Sequence, residues 1–105
     1  MEKIGVIGAG SGGTALSLVL ANNGKKVTLW SIVESEIAML KEKHEHTDKL
    51  PGVILPESIT FTTELEETIE ASEMLILAVP SVFTRSTARM MAPFVKEGQI
   101  IVCVA

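Results

Sequence analysis

The chain has 105 residues, 47% hydrophobic and 21% charged, which is enough for one small domain with a real core and excludes whole-chain disorder. A formal net charge of −4 argues against nucleic acid as a partner. No run approaches the roughly 20 apolar residues of a membrane span, and a lone cysteine excludes an internal disulfide, so a reducing cytoplasm is the expected compartment.

A strand pattern occupies about 3–8, leaving no room for a signal peptide ahead of it. Gly8-Ala-Gly10-Ser-Gly-Gly13 follows directly. A helix is expected over about 12–23, so apolar through Ala15, Leu16, Leu18, Val19 and Leu20 that it should lie buried between layers. Asn22-Asn23-Gly24 stops it, and a second strand runs over about 26–30. Glu34 to about Glu45 reads as a mostly exposed helix with Ile37 and Leu40 as its apolar contacts. His44 and His46 sit among charges at a spacing that does not share a helix face, and they read as a solvated surface pair. Two prolines and a glycine make 49–56 a long loop.

A short strand is expected at 59–62, and Thr63-Glu-Leu-Glu66 has the capping-box pattern that opens a helix over about 64–71. The apolar run 74–79 reads as a buried parallel strand ended by Pro80-Ser81, with Ser81 available to cap a helix over about 82–92. Gln99 to Val104 reads as a last buried strand, with Cys103 a small buried hydrophobe inside it. Strands alternating with helices select a parallel sheet with helices on both faces: a Rossmann-type, doubly wound, three-layer α/β/α domain over residues 1–105, with strand order 3-2-1-4-5.

In the strand–turn–helix–strand setting the glycines form a G-x-G-x-x-G fingerprint. Gly8 allows the turn out of the strand, Gly10 lets backbone approach a pyrophosphate, and Gly13 lets the helix pack closely. Free N–H groups near Ser11 to Thr14, with the helix dipole behind them, can meet phosphate oxygens. Ser11 adds a hydroxyl as N-cap or phosphate ligand, and Gly12 hints at a looser loop. Val79, Pro80 and Ser81 fall at the same carboxyl edge of the sheet, across the expected crevice. At the end of strand two, where an NAD-preferring domain carries an acid, the sequence reads Trp30-Ser31-Ile32-Val33-Glu34. Ser31 can bond a ribose hydroxyl, Glu34 reads as a charge in the next helix's first turn, and Trp30 as packing. No arginine stands here for a 2′-phosphate, so NAD and NADP both remain open. Arg85 and Arg89 read as a solvated helix face, and no base–nucleophile or metal constellation emerges.

Gly8-Ala-Gly-Ser-Gly-Gly-Thr-Ala-Leu16, Val27-Thr-Leu-Trp30, Leu50-Pro-Gly52 with Leu55-Pro56, and Val79-Pro-Ser81 together resemble the N-terminal domain of bacterial NAD(P)-dependent glycerol-3-phosphate dehydrogenases. The resemblance covers essentially the whole chain. It implies NAD or NADP as cofactor, and reversible hydride transfer between dihydroxyacetone phosphate and sn-glycerol 3-phosphate that feeds phospholipid synthesis. It also implies cofactor contacts at Ser11, at Gly12 (where the family carries a bulky aromatic) and at Ile32 (where it carries a basic residue). Family members continue with a Lys-Gly pair and a helical C-terminal domain that supplies the catalytic lysine and holds the small phosphorylated substrate. The expectation is therefore that these 105 residues bind cofactor without turnover, and that an apolar surface left uncovered favours a homodimer. Ketopantoate reductase-like or opine dehydrogenase-like domains, and a non-catalytic nucleotide-binding module, are the alternative readings.

Overall fold

The computed structural model describes residues 2–104. The strands are β1 (Lys3–Ile7), β2 (Lys26–Trp30), β3 (Thr60–Thr62), β4 (Met74–Leu77) and β5 (Ile100–Cys103). The helices are α1 (Ser11–Asn22), α2 (Glu34–Lys43), α3 (Leu65–Ala71) and α4 (Thr84–Met91), with single 3₁₀ turns at Ser81–Phe83 and Ala92–Phe94. All strand pairs are parallel and the sheet order is β3-β2-β1-β4-β5, as the alternating pattern predicts.

Side chains alternate across a strand, and that alternation builds two cores. Ile4, Val6, Val27, Leu29 and Ile76 join Ile37 and Leu40 of α2 on one face, where Leu16 and Leu20 of α1 also pack. Ile7, Trp30, Leu75 and Leu77 join Ile69 of α3 and Met91 of α4 on the other. Each fully buried Ile or Leu contributes about 1.5–3 kcal/mol, so the sheet's two apolar faces dominate the fold's stability. The N-terminal edge is tied separately: Glu73 Oε1 accepts hydrogen bonds from the Glu2 and Lys3 N–H groups at 3.0 and 3.1 Å.

Four local expectations fail, each for a packing reason. Helix α1 is only partly buried: its buried residues are Gly13, Thr14 and Ser17, while Val19 is 54% exposed. The small residues, not the leucines, make the closest approach to the sheet. The capping box at Thr63 does not form, because Glu64 is the N-cap of α3 and makes no side-chain cap bond. Thr62 Oγ1 instead accepts from Glu64 N–H at 3.0 Å, which fixes the strand exit. Ser81 caps nothing and is exposed, since the 3₁₀ turn enters α4 with Phe83 as its N-cap. Strand β5 is exposed along its length, and Cys103 with it, because β5 is a sheet edge paired only with β4. Ile100, Ile101, Val102, Val82 and Phe83 are among the exposed apolar side chains.

Candidate functional site

The carboxyl edge of the sheet is knotted at Gly8. Gly8 N–H donates to Trp30 O and Ala78 N–H donates to Ile7 O, both at 2.8 Å, which extends the β1 pairings one step to each side. Gly8 has φ +121°, and a Cβ there would meet Ala78 O at 2.6 Å, so only glycine fits this turn. A Cβ on Gly13 would collide with the carbonyl oxygen of Gly8. By contrast, Cβ atoms at Gly10 and Gly12 would meet nothing within 4 Å. The fingerprint thus divides into two glycines that close the turn and two that open onto space.

Helix α1 begins at Ser11 with Gly10 as N-cap, so Ser11 does not cap it and Gly12 is helical rather than part of a looser loop. The first helical bond runs from Thr14 N–H to Gly10 O at 2.9 Å, and Thr14 Oγ1 donates to Ala9 O at 3.3 Å. Thr14 is fully buried and has no free N–H for a ligand, against expectation. Among the described residues, the N–H groups of Ser11, Gly12 and Gly13 bond no backbone carbonyl, as the start of a helix requires. They leave three donors together at the positive pole of the helix dipole.

A cavity of about 500 Å³ opens beside this turn. Its walls are Gly8, Ala9 and Gly10 on one side, Ala78, Val79 and Pro80 across the crevice, and Trp30, Ser31, Ile32 and Val33 at the end of β2. Phe83, Ser86, Thr87 and Met90 close the side towards α4. Ser11, Gly12, Gly13, Thr14 and Ser81 do not line it, and neither do Glu34, Arg85 and Arg89, which are exposed. Trp30 is 4% exposed in the core, as its packing reading expects, and it also forms a wall of the cavity.

Sequence reading missed the polar part of this wall: Glu36 and Lys49 also line the cavity. Ser31 Oγ donates to Glu36 Oε1 at 2.7 Å and accepts from Val33 N–H at 3.1 Å. Glu36 Oε2 lies 2.9 Å from His46 Nε2. Lys49 N–H donates to His46 Nδ1 at 3.2 Å, which makes Nδ1 the acceptor and leaves the proton on Nε2 to face Glu36. His46 is 1% exposed, so the histidines are no solvated pair. Backbone geometry is the reason: His44 caps α2 with φ +52° and turns the chain back against the helix. His44 itself sits half-buried, edge-on to Phe61 with ring centroids 5.6 Å apart. Leu55 N–H, donating to His44 O at 2.6 Å, pins the returning loop. Among the described residues no group of three His, Cys, Asp or Glu is placed to hold a metal.

The family model described as NAD-dependent glycerol-3-phosphate dehydrogenase N-terminus matches residues 3–105. The chain belongs to that family. It is 78% identical over its whole length to the NAD(P)+ glycerol-3-phosphate dehydrogenase of Agathobacter rectalis, and 45% identical to the second such enzyme of Lactobacillus delbrueckii subsp. bulgaricus. The crystal structure of glycerol-3-phosphate dehydrogenase from Coxiella burnetii superposes with a TM-score of 0.92 at 30% identity, over 97% of this chain and 31% of that one. The chain likewise spans 31% of the length of the two curated relatives. Membership in the glycerol-3-phosphate dehydrogenase family sets aside the ketopantoate reductase-like and opine dehydrogenase-like readings.

Proposed function

We propose that this chain is the cofactor-binding domain of an NAD(P)-dependent glycerol-3-phosphate dehydrogenase, holding NAD or NADP for the interconversion of dihydroxyacetone phosphate and sn-glycerol 3-phosphate. The observation that carries the reading is Gly10, which lines the cavity opposite Val79 and Pro80 of the β4 exit and, as the N-cap of α1, leads directly into three helix-start N–H groups without backbone partners. The cavity's volume of about 500 Å³ falls within the 300–1,000 Å³ usual for ligand sites, and its walls are mostly apolar with few polar groups. The residues present therefore fit a dinucleotide. When bound, the reduced cofactor would supply a hydride for reduction of dihydroxyacetone phosphate, and the oxidised cofactor would accept one from glycerol 3-phosphate.

The chain's own groups bind and orient. Ser11, Gly12 and Gly13 N–H groups receive the pyrophosphate, and Gly10 leaves room for it. Ser31, Ile32 and Trp30 hold the adenosine end, while Val79 and Pro80 face the other part of the dinucleotide from the β4 exit. Thr14 supports this frame from outside the cavity through its hydrogen bond to Ala9 O. The reading places the phosphorylated substrate and the proton-transfer groups in the part of the relatives' length that this chain does not match. Cytoplasmic location fits it: Cys103 is a free thiol, and no described helix is long and apolar enough to cross a membrane.

Trp30, the only tryptophan, lines the cavity and is a built-in reporter. Titration with NADH and NADPH should change its fluorescence saturably. Gly10→Val projects into open space, so beyond the modest loss of a favourable N-cap residue it should leave the fold intact, and it should weaken both cofactors at least tenfold. Unchanged affinity in a folded Gly10→Val chain, or no saturable binding by the unmodified one, would overturn the assignment.

A further inference from the structure

We propose that Glu36 is the cofactor-selecting residue of this domain, reading the unsubstituted ribose of an NAD-type dinucleotide and excluding a 2′-phosphate. The inference rests on the cofactor-binding reading above and decides what that reading leaves open. Glu36 lines the cavity beside Ser31, at the end of β2, with its side chain 21% exposed. Its carboxylate is not a mobile surface charge. One oxygen takes the Ser31 hydroxyl at 2.7 Å and the other the His46 Nε2 proton at 2.9 Å, and His46 is itself held by Lys49 N–H. Each carboxylate oxygen accepts more than one hydrogen bond, so capacity remains for the donors of a ribose diol.

Charge makes the choice. A ribose 2′-phosphate carries about −2 at neutral pH and would enter next to a fixed carboxylate. Ile32, exposed at the rim by 66%, offers no compensating charge. Lys49 is the one cation lining the cavity among the described residues, and it opposes the effect. Its side chain is exposed and makes no hydrogen bond or ion pair there, whereas Glu36 is anchored at both oxygens, so the carboxylate prevails. His46 is a positioning residue: it holds the carboxylate and touches no ligand.

The test is the ratio of NADH to NADPH affinity, measured by Trp30 fluorescence in the unmodified chain and in Glu36→Gln. The unmodified chain should bind NADH at least tenfold tighter, and the neutral isostere should cut that ratio severalfold, chiefly by strengthening NADPH. A merely structural role for Glu36 would move both affinities together and leave the ratio alone. Equal affinities in the unmodified chain, a preference for NADPH, or an unchanged ratio in a folded Glu36→Gln chain would each overturn the proposal. Should Glu36→Gln not fold, ionic strength decides. Repulsion at the 2′-position is screened by salt, so the ratio should fall between low and high salt, and a constant ratio counts against the proposal. Failure of both cofactors to bind would instead sink the cofactor-binding reading on which the inference stands.

Discussion

The two ends of the cavity are built by opposite means. At the end proposed for the phosphates the groups on offer are backbone: Gly8 and Gly13 shape a turn that no side chain fits, and the helix-start N–H groups have no backbone partner. At the β2 end the working groups are side chains from three separate segments, Ser31, Glu36 and His46, joined by hydrogen bonds of 2.7 and 2.9 Å. A backbone site is inherited with the fold and accepts any pyrophosphate. A side-chain site can change with a few substitutions, which suits the end proposed to tell one ribose from another.

The largest effect should come from the phosphate end. Gly13→Ala places a methyl group against the Gly8 carbonyl, where neither backbone segment can yield without breaking the β1–α1 turn. Overpacking of this kind costs about 3 kcal/mol, a large share of the roughly 5–15 kcal/mol available to a small domain. Denaturant titration should show that loss, and a Gly13→Ala chain of ordinary stability would break the distinction between closing and opening glycines. Next comes the β2 end. His46→Ala removes a buried ring and strands the Lys49 N–H and one oxygen of Glu36, at about 2 kcal/mol. The comparison sharpens if this variant still binds NADH while its discrimination against NADPH shrinks. It fails if NADH and NADPH are lost in equal measure, since the two ends would then not be separable.

This difference in construction also explains what was legible beforehand. Gly8 to Gly13 could be read because steric demands of the backbone dictate residue type within one short window. The strands could be read because apolar runs such as Leu75 to Leu77 record burial directly. The β2 end could not, because Glu36 and His46 meet only after the chain reverses at His44, and a left-handed turn at a non-glycine residue leaves no pattern. One signal was present: Glu36 stands four residues before the buried Leu40, a spacing that shares a helix face. Strand β5 misleads in the other direction. Ile100 to Cys103 has the composition of a buried strand, but composition cannot say that the strand is an edge. In α1 the apolar residues outnumber the small ones, yet Gly13, Thr14 and Ser17 set the contact because they allow the closest approach.

The smallest effect belongs to the opposite edge of the sheet and serves as a control on both ends. Glu73 is exposed, and its carboxyl is held below the usual carboxylate range by the backbone N–H groups of Glu2 and Lys3 that it accepts. A folded-state pKa below the unfolded one means that the carboxylate stabilises the fold at neutral pH. That contribution is present above the unfolded value of about 4.3 and is lost as pH falls through the lowered folded value. Glu73→Gln keeps the shape and an accepting oxygen but removes the charge. The unmodified chain should therefore be slightly more stable than the variant at pH 7, and the gap should close as the solution is acidified past the carboxylate range. A gap that is constant with pH would show that the bonds, and not the charge, hold the β1 and β4 starts together. Either way NADH and NADPH affinities at pH 7 should not move, because Glu73 lies at the N-terminal ends of strands whose carboxyl ends form the cavity.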